Sequence, residues 1–216
     1  MNLMSELKEI NKNSSESILE VLIGFFTRDP ITFGEAIIRL LKEAKSIPDI
    51  IFWTNFSEFL KEGKFDDEKL RKLAAKLVED GNNKDNATKI IYAINAIDEP
   101  SKAKYISWLT VAVIHDMMAL DEYFRLIKVV SRLINSDLIF IADNVEKVLI
   151  DTNDCHVEDF LANGLLRSVD GGFAYSERAY NLVEYGIRYG HSVRRPEHIP
   201  DRQVVPTDDY GDLEEV

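Results

Sequence analysis

The chain has 216 residues, with 38 acids against 26 lysines and arginines, a formal charge of −12 and 45% hydrophobic residues, enough for one large domain with a full apolar core. Its long-range field opposes phosphate backbones and anionic lipid, which disfavours nucleic acid as a partner. A single cysteine, Cys155, excludes an intrachain disulfide and suits a reducing, cytoplasmic setting.

Residues 1–17 mix acids, lysines and asparagines and lack the basic-then-apolar order of a secretory leader. A first helix is expected over 14–27, capped by Ser14 or Ser15 and stopped at Asp29-Pro30. Its run of residues 18–26 carries Glu16 and Glu20 beside it rather than basic residues, so it reads as a core or homo-oligomer contact and not as a membrane-surface segment. Thr32-Phe33-Gly34-Glu35 has the form of a capping box. After the break at Ser46–Asp49 comes IIFWTNFSEFLKEG, where Phe52, Phe56, Phe59 and Leu60 recur at helical spacing and Gly63 lies just past the end.

Asp66 is the expected cap of a helix with Leu70, Leu73 and Leu77 on one face, stopped by Gly81. The next, near Asp85, uses Ile90, Ile91, Ile94 and Ile97. From Pro100 to Ile150 the sequence predicts three consecutive helices. The first is apolar on nearly every side and is expected to be the buried hub, with the pair His115 and Asp116 inside it. The stretch Ile106–Leu120, interrupted by Ser107, Thr110, His115 and Asp116, falls short of the roughly 20 apolar residues a spanning helix needs, so no transmembrane segment is expected. In the second helix Arg125, Lys128, Arg132 and Asn135 form a polar stripe opposite Phe124, Ile127, Val130 and Ile134. Asp137 is the expected cap of the third.

The pattern changes after Ile150. A loop over 151–154 precedes a short helix, His156–Asn163, closed by Gly164. Strands are expected over Leu165–Val169 and Phe173–Ser176, joined through Asp170-Gly171-Gly172, whose glycines supply the positive φ angles of a tight turn. Ser176-Glu177 opens a last helix that ends at Gly190. Residues 191–216, with three prolines and the ending DDYGDLEEV, read as a flexible acidic tail. The expected fold is mainly α: a helical core over 1–150, a helix–hairpin–helix segment over 151–190 packed on it, and the tail over 191–216.

That helix–hairpin–helix order resembles half of a winged-helix domain, which would imply DNA binding through the helix before the wing. Residues 151–190 carry seven acids against three arginines, and the would-be reading helix holds Glu158 and Asp159 with no lysine or arginine, so a protein contact is the better expectation for the hairpin. The candidate interaction residues are Arg167, Asp170, Gly171, Gly172, Phe173, Tyr175 and Arg178. Cys155, His156, Glu158 and Asp159 are of metal-ligand type, but neighbours in sequence do not converge on one side of a helix. No catalytic, cofactor or metal site is expected. An enzyme built around His115 and Asp116 is the weaker alternative, a buried histidine being more often a hydrogen-bonded core residue than a base.

The phrases SIPDIIFWTNFSEFL, SKAKYISWLTVAVI, DEYFRLIKVVSRLINSDLIF and FLANGLLRS, spanning about residues 46–190, resemble the layout of small helical proteins of bacterial and prophage genomes that carry no assigned function. The resemblance implies a regulatory or accessory role linked to mobile elements and supplies no catalytic residues. Together these features predict a non-enzymatic cytoplasmic protein that works through a protein partner.

Overall fold

The computed structural model describes residues 50–65, 67–78, 83–147, 149–150, 155–191 and 193–194. The expected helix at 14–27, the capping box, the Asp66 cap, the Gly81 stop, the loop 151–154 and nearly all of the tail lie outside them.

Helix α1 (Ile50–Glu62) buries Phe52, Phe56, Phe59 and Leu60, the four residues its spacing singled out. Their rings form a row, with Phe56 5.9 Å from Phe52 and 5.8 Å from Phe59 between centroids. Helices α2 (Asp67–Val78) and α3 (Asn83–Asn95) bury Leu73 and Leu77, and Ile90, Ile91 and Ile94, respectively. Two buried asparagines tie the three helices together. Asn55 Nδ2 donates to the carbonyls of Ile94 (3.3 Å) and Ile97 (3.0 Å) at the end of α3, and Asn86 Nδ2 donates to Leu77 O (3.1 Å) at the end of α2. The last carbonyls of a helix lack the partner that a further turn would supply, and the two asparagine amides donate to carbonyls at such ends.

A 3-10 turn, Pro100–Lys102, leads into α4 (Ala103–Ile114). Ten of the twelve residues of α4 are buried. It is the hub the composition predicted, contacted by α1, α2, α5 (Leu120–Arg132) and the closing helix. Its polar side chains are absorbed locally: Ser107 Oγ donates to Phe59 O at 2.6 Å, and Thr110 Oγ1 bonds Ile106 O at 2.8 Å and the Tyr123 hydroxyl at 2.9 Å. Burial pushes the Tyr123 phenol well above the ordinary tyrosine range, so it stays protonated.

Just before the hub, Lys102 is buried along its stem while Nζ reaches out to Asp98 Oδ1 at 2.6 Å. That hydrogen bond holds the Asp98 carboxyl below its ordinary value, against the opposing pull of desolvation. A depressed carboxylate contributes stability that is present above the unfolded pKa, about 4, and lost as pH falls through the folded value. Asp98→Asn should therefore lower the melting temperature at pH 7, with the difference from the parent closing in acid. A pH-independent difference would remove this account of the pair.

The structure departs from the expected pattern at four positions. His115 and Asp116 are not inside the hub. His115 is the C-terminal cap of α4, Asp116 has φ 57, and both are exposed. Ile134 is 54% exposed because α5 ends at Arg132 and Leu133 and Ile134 are extended; the heptad relation to Ile127 lapses there, and Leu133 is buried instead. Finally, α6 (Asn135–Asn144) starts two residues before Asp137. Its N-cap is Ile134, without a side-chain cap bond, and Asp137 lies in its first turn.

Helix α7 (Val157–Ala162) is followed by the antiparallel hairpin β1 (Leu166–Val169) and β2 (Gly172–Tyr175), in register Leu166 with Tyr175 and Val169 with Gly172. Gly171, at φ 84, makes the turn. Ser176 caps α8 (Glu177–Asn181), accepting from Ala179 N and donating to Gly164 O at 2.6 Å. The chain then continues as a π-helical segment, Leu182–Ile187, closed by Arg188 N donating to Val183 O at 2.7 Å. Gly186 lets this segment lie directly on the hub, since a Cβ there would come within 3.1 Å of Leu109 Cγ. Gly186→Ala gains about 1 kcal/mol of helical preference but overpacks a fully buried leucine at about 1–3 kcal/mol. A net loss of about 1 kcal/mol in chemical denaturation is expected, and a stabilised variant would mean that Leu109 yields.

Candidate functional site

The hairpin residues marked by the sequence divide into two groups. Tyr175 is buried, Phe173 packs against the core with its carbonyl accepting from Ile150 N at 2.8 Å, and Gly172 sits against the Ile150 carbonyl. Arg178 is half-buried, its Nε 3.3 Å from Glu122 Oε1 and its Nη1 donating to Asn163 O at 3.4 Å. These four hold the hairpin to the helical body. Asp170 and Gly171 at the tip are exposed, and Arg167 is half-exposed. Helix α7 buries Val157 and Phe160 and turns Glu158 and Asp159 outward, so the surface beside the hairpin is acidic.

At the end of the hub, Asp116 accepts an ion pair from Lys76 Nζ at 2.7 Å. His115 and Asp116 line neither of the two clefts described below.

His156 clusters with Phe140 (4.1 Å between centroids, 16°) and Phe160 (5.4 Å, 27°), which are themselves 6.1 Å apart, with Nε2 3.7 Å from Asp137 Oδ1 and Nδ1 3.5 Å from Cys155 Sγ. Burial raises the Asp137 carboxyl above its ordinary value, the charge of His156 pulls it down, and Asp159 pushes it up again. A cleft of about 340 Å³ opens between Asp137, Asp159 and Arg132, and Cys155 is not among its lining residues. Among the described residues no group of three or more histidine, cysteine or acidic side chains is placed to hold a metal ion.

The larger cleft, about 500 Å³, runs between α3 and α5. Lys89, Tyr92 and Ala93 come from α3; Asp121, Phe124, Arg125, Ile127, Lys128 and Ser131 come from α5. Its floor is apolar, with Ala93 and Ile127 buried and Phe124 half-buried. Its rim is basic: three cations face one acid. Lys89 Nζ lies over the Phe124 ring at 4.3 Å and donates to Asn86 Oδ1 at 3.1 Å. Arg125 and Lys128 make no ion pair among the described residues, although Asp121 stands one turn from Arg125. Tyr92 is 54% exposed on the opposite wall.

No family model, curated protein or solved structure matches the chain.

The polar stripe of α5 is visible in the sequence as a solvated face. What turns it into one wall of a cleft is α3, whose Lys89 and Tyr92 lie some thirty residues away in the chain. The one local signal is the spacing of Lys89 and Tyr92, three apart and interleaved with the buried Ile90 and Ile91, which puts a cation and a ring side by side at the edge of the apolar face. No helix among the described residues is long and apolar enough to cross a membrane.

Proposed function

We propose that this protein acts through protein–protein contact and not through catalysis, holding in the α3–α5 cleft an acidic segment that carries an aromatic or aliphatic anchor. The observation that supports this reading is the basic rim over an apolar floor. In a chain of net charge −12, with 38 acids available, Arg125 and Lys128 stand without an acidic partner among the described residues. Guanidinium and ammonium groups beside Phe124 and Tyr92 offer carboxylates a charge and an anchor side chain a ring to stack on. An accessory or regulatory role of the kind implied by the resemblance to prophage-borne helical proteins is in keeping with it.

The test is a fluorescence-anisotropy titration with a labelled peptide of alternating glutamate, tyrosine and leucine, repeated as salt rises from about 50 to about 500 mM. Binding that weakens with salt supports the reading. Equal binding of a lysine-containing counterpart would overturn it. The hairpin as a DNA reader finds little electrostatic support, because Glu158 and Asp159 face outward from the helix before it. Retardation of a short duplex at low salt would reinstate it.

A further inference from the structure

We infer that the segment held in the α3–α5 cleft is an acidic amphipathic helix of a partner protein, lying as a third helix against the two walls; this deepens the docking reading above and rests on it. Every described residue lining the cleft belongs to α3 or α5, and the hairpin β1–β2, the one sheet among the described residues, contributes none of them. A bound segment therefore meets side chains and no strand edge. An extended chain laid there turns backbone N–H and C=O groups toward the apolar floor of Ala93, Phe124 and Ile127, which offers them no partner. A helix satisfies its own backbone and presents only side chains to that floor.

The spacing of the walls points the same way. Arg125 and Lys128 are three residues apart on α5, as are Lys89 and Tyr92 on α3, so each wall sets out its groups at about 4.5 Å along its axis. Groups on one side of a partner helix recur every three or four residues, about 4.5–6 Å, while those on one face of an extended chain recur at about 6.6–6.8 Å. The two walls differ in what they offer. On α3 the Lys89 ammonium donates to Asn86 Oδ1 at 3.1 Å and covers the Phe124 ring at 4.3 Å, which leaves Tyr92, 54% exposed, as the open group of that wall. On α5 the open groups are the cations Arg125 and Lys128. The matching helix has an apolar stripe toward the floor, carboxylates three or four apart on the flank toward α5, and an aromatic or aliphatic side chain on the flank toward α3. Asp121, the one acid of the cleft, stands one turn before Arg125 and disfavours a carboxylate at that end.

The test is fluorescence anisotropy on the full chain with three labelled peptides of about 16 residues and identical composition, built from glutamate, tyrosine, leucine, alanine and glutamine. In the first, leucines and a tyrosine form one helical stripe with the glutamates along one flank. In the second, the glutamates are moved to the side opposite the stripe, which keeps the helix and removes the flank. In the third, apolar and polar residues alternate strictly, the pattern of a strand. The first should bind about tenfold more tightly than either of the others, and its 13Cα shifts in the complex should take helical values. Equal or tighter binding of the second or the third, or extended 13Cα shifts in the complex, would overturn the inference while leaving the docking reading intact. Failure of all three to bind at low salt would overturn the docking reading and the inference with it.

Discussion

Phe56→Ala should destabilise the protein by about 3–5 kcal/mol, read as a shift in the midpoint of urea denaturation. Phe56 is fully buried in the middle of the α1 ring row, flanked at just under 6 Å by Phe52 and Phe59. Those flanking rings are held on α1 at fixed helical spacing and tilted by 33° and 39° to it, so neither can swing into the space a missing ring would leave. The next residue back, Asn55, is locked to the carbonyls of Ile94 and Ile97, which ties the backbone of α1 to the end of α3 and further limits collapse. The control is Ile51→Ala on the same helix. At 60% exposure its loss should stay within about 0.5 kcal/mol of the parent. A Phe56→Ala protein within about 1 kcal/mol of the parent would show that the ring row is not the core of this end of the molecule.

The double reversal R125E/K128E should weaken binding of the acidic Glu-Tyr-Leu peptide by about 100-fold at low salt, and by less as salt rises. Each cation near a carboxylate is worth about 1 kcal/mol in high dielectric, and reversing its sign replaces that attraction with repulsion, so about tenfold per residue is a moderate expectation after screening. Stability should barely move, because both side chains are exposed and make no ion pair among the described residues. That combination separates a docking surface from a structural one. Unchanged peptide affinity would remove the cleft from the function. The same loss from reversing Arg132, which lies outside this cleft, would show a diffuse charge effect instead of a site.

Most of the helical layout was legible because it rests on period and punctuation. Ile90, Ile91, Ile94 and Ile97 are buried where their spacing placed them, Gly164 takes φ 69 where a stop was expected, and Ser176 caps α8. Failures came where a local rule met a tertiary fact. Ile134 belongs to the apolar period of α5 only if the helix continues, and it does not. Asn55, Asn86 and Lys102 read as surface residues by type, yet all are buried with their donor groups partnered, two of them by carbonyls at the ends of other helices. The α3–α5 cleft was invisible for the same reason: Lys89 and Tyr92 become neighbours of Phe124 and Arg125 only once two helices are packed.

The wide turn at Leu182–Ile187 gives the C-terminal end of the molecule a particular tolerance to the loss of one residue. A π-helical turn accommodates one residue more than an α-helix over the same span. Deleting Glu184 would let the backbone relax into ordinary α geometry over the same span, and the residues after it would keep close to their present orientation. Arg188 would stay beside Asp143 and Tyr189 on the face of Trp108, where they now sit at 3.4 Å and 6.3 Å. A single codon lost here would thus be absorbed, whereas the same loss within α4 would turn everything after it by about 100°.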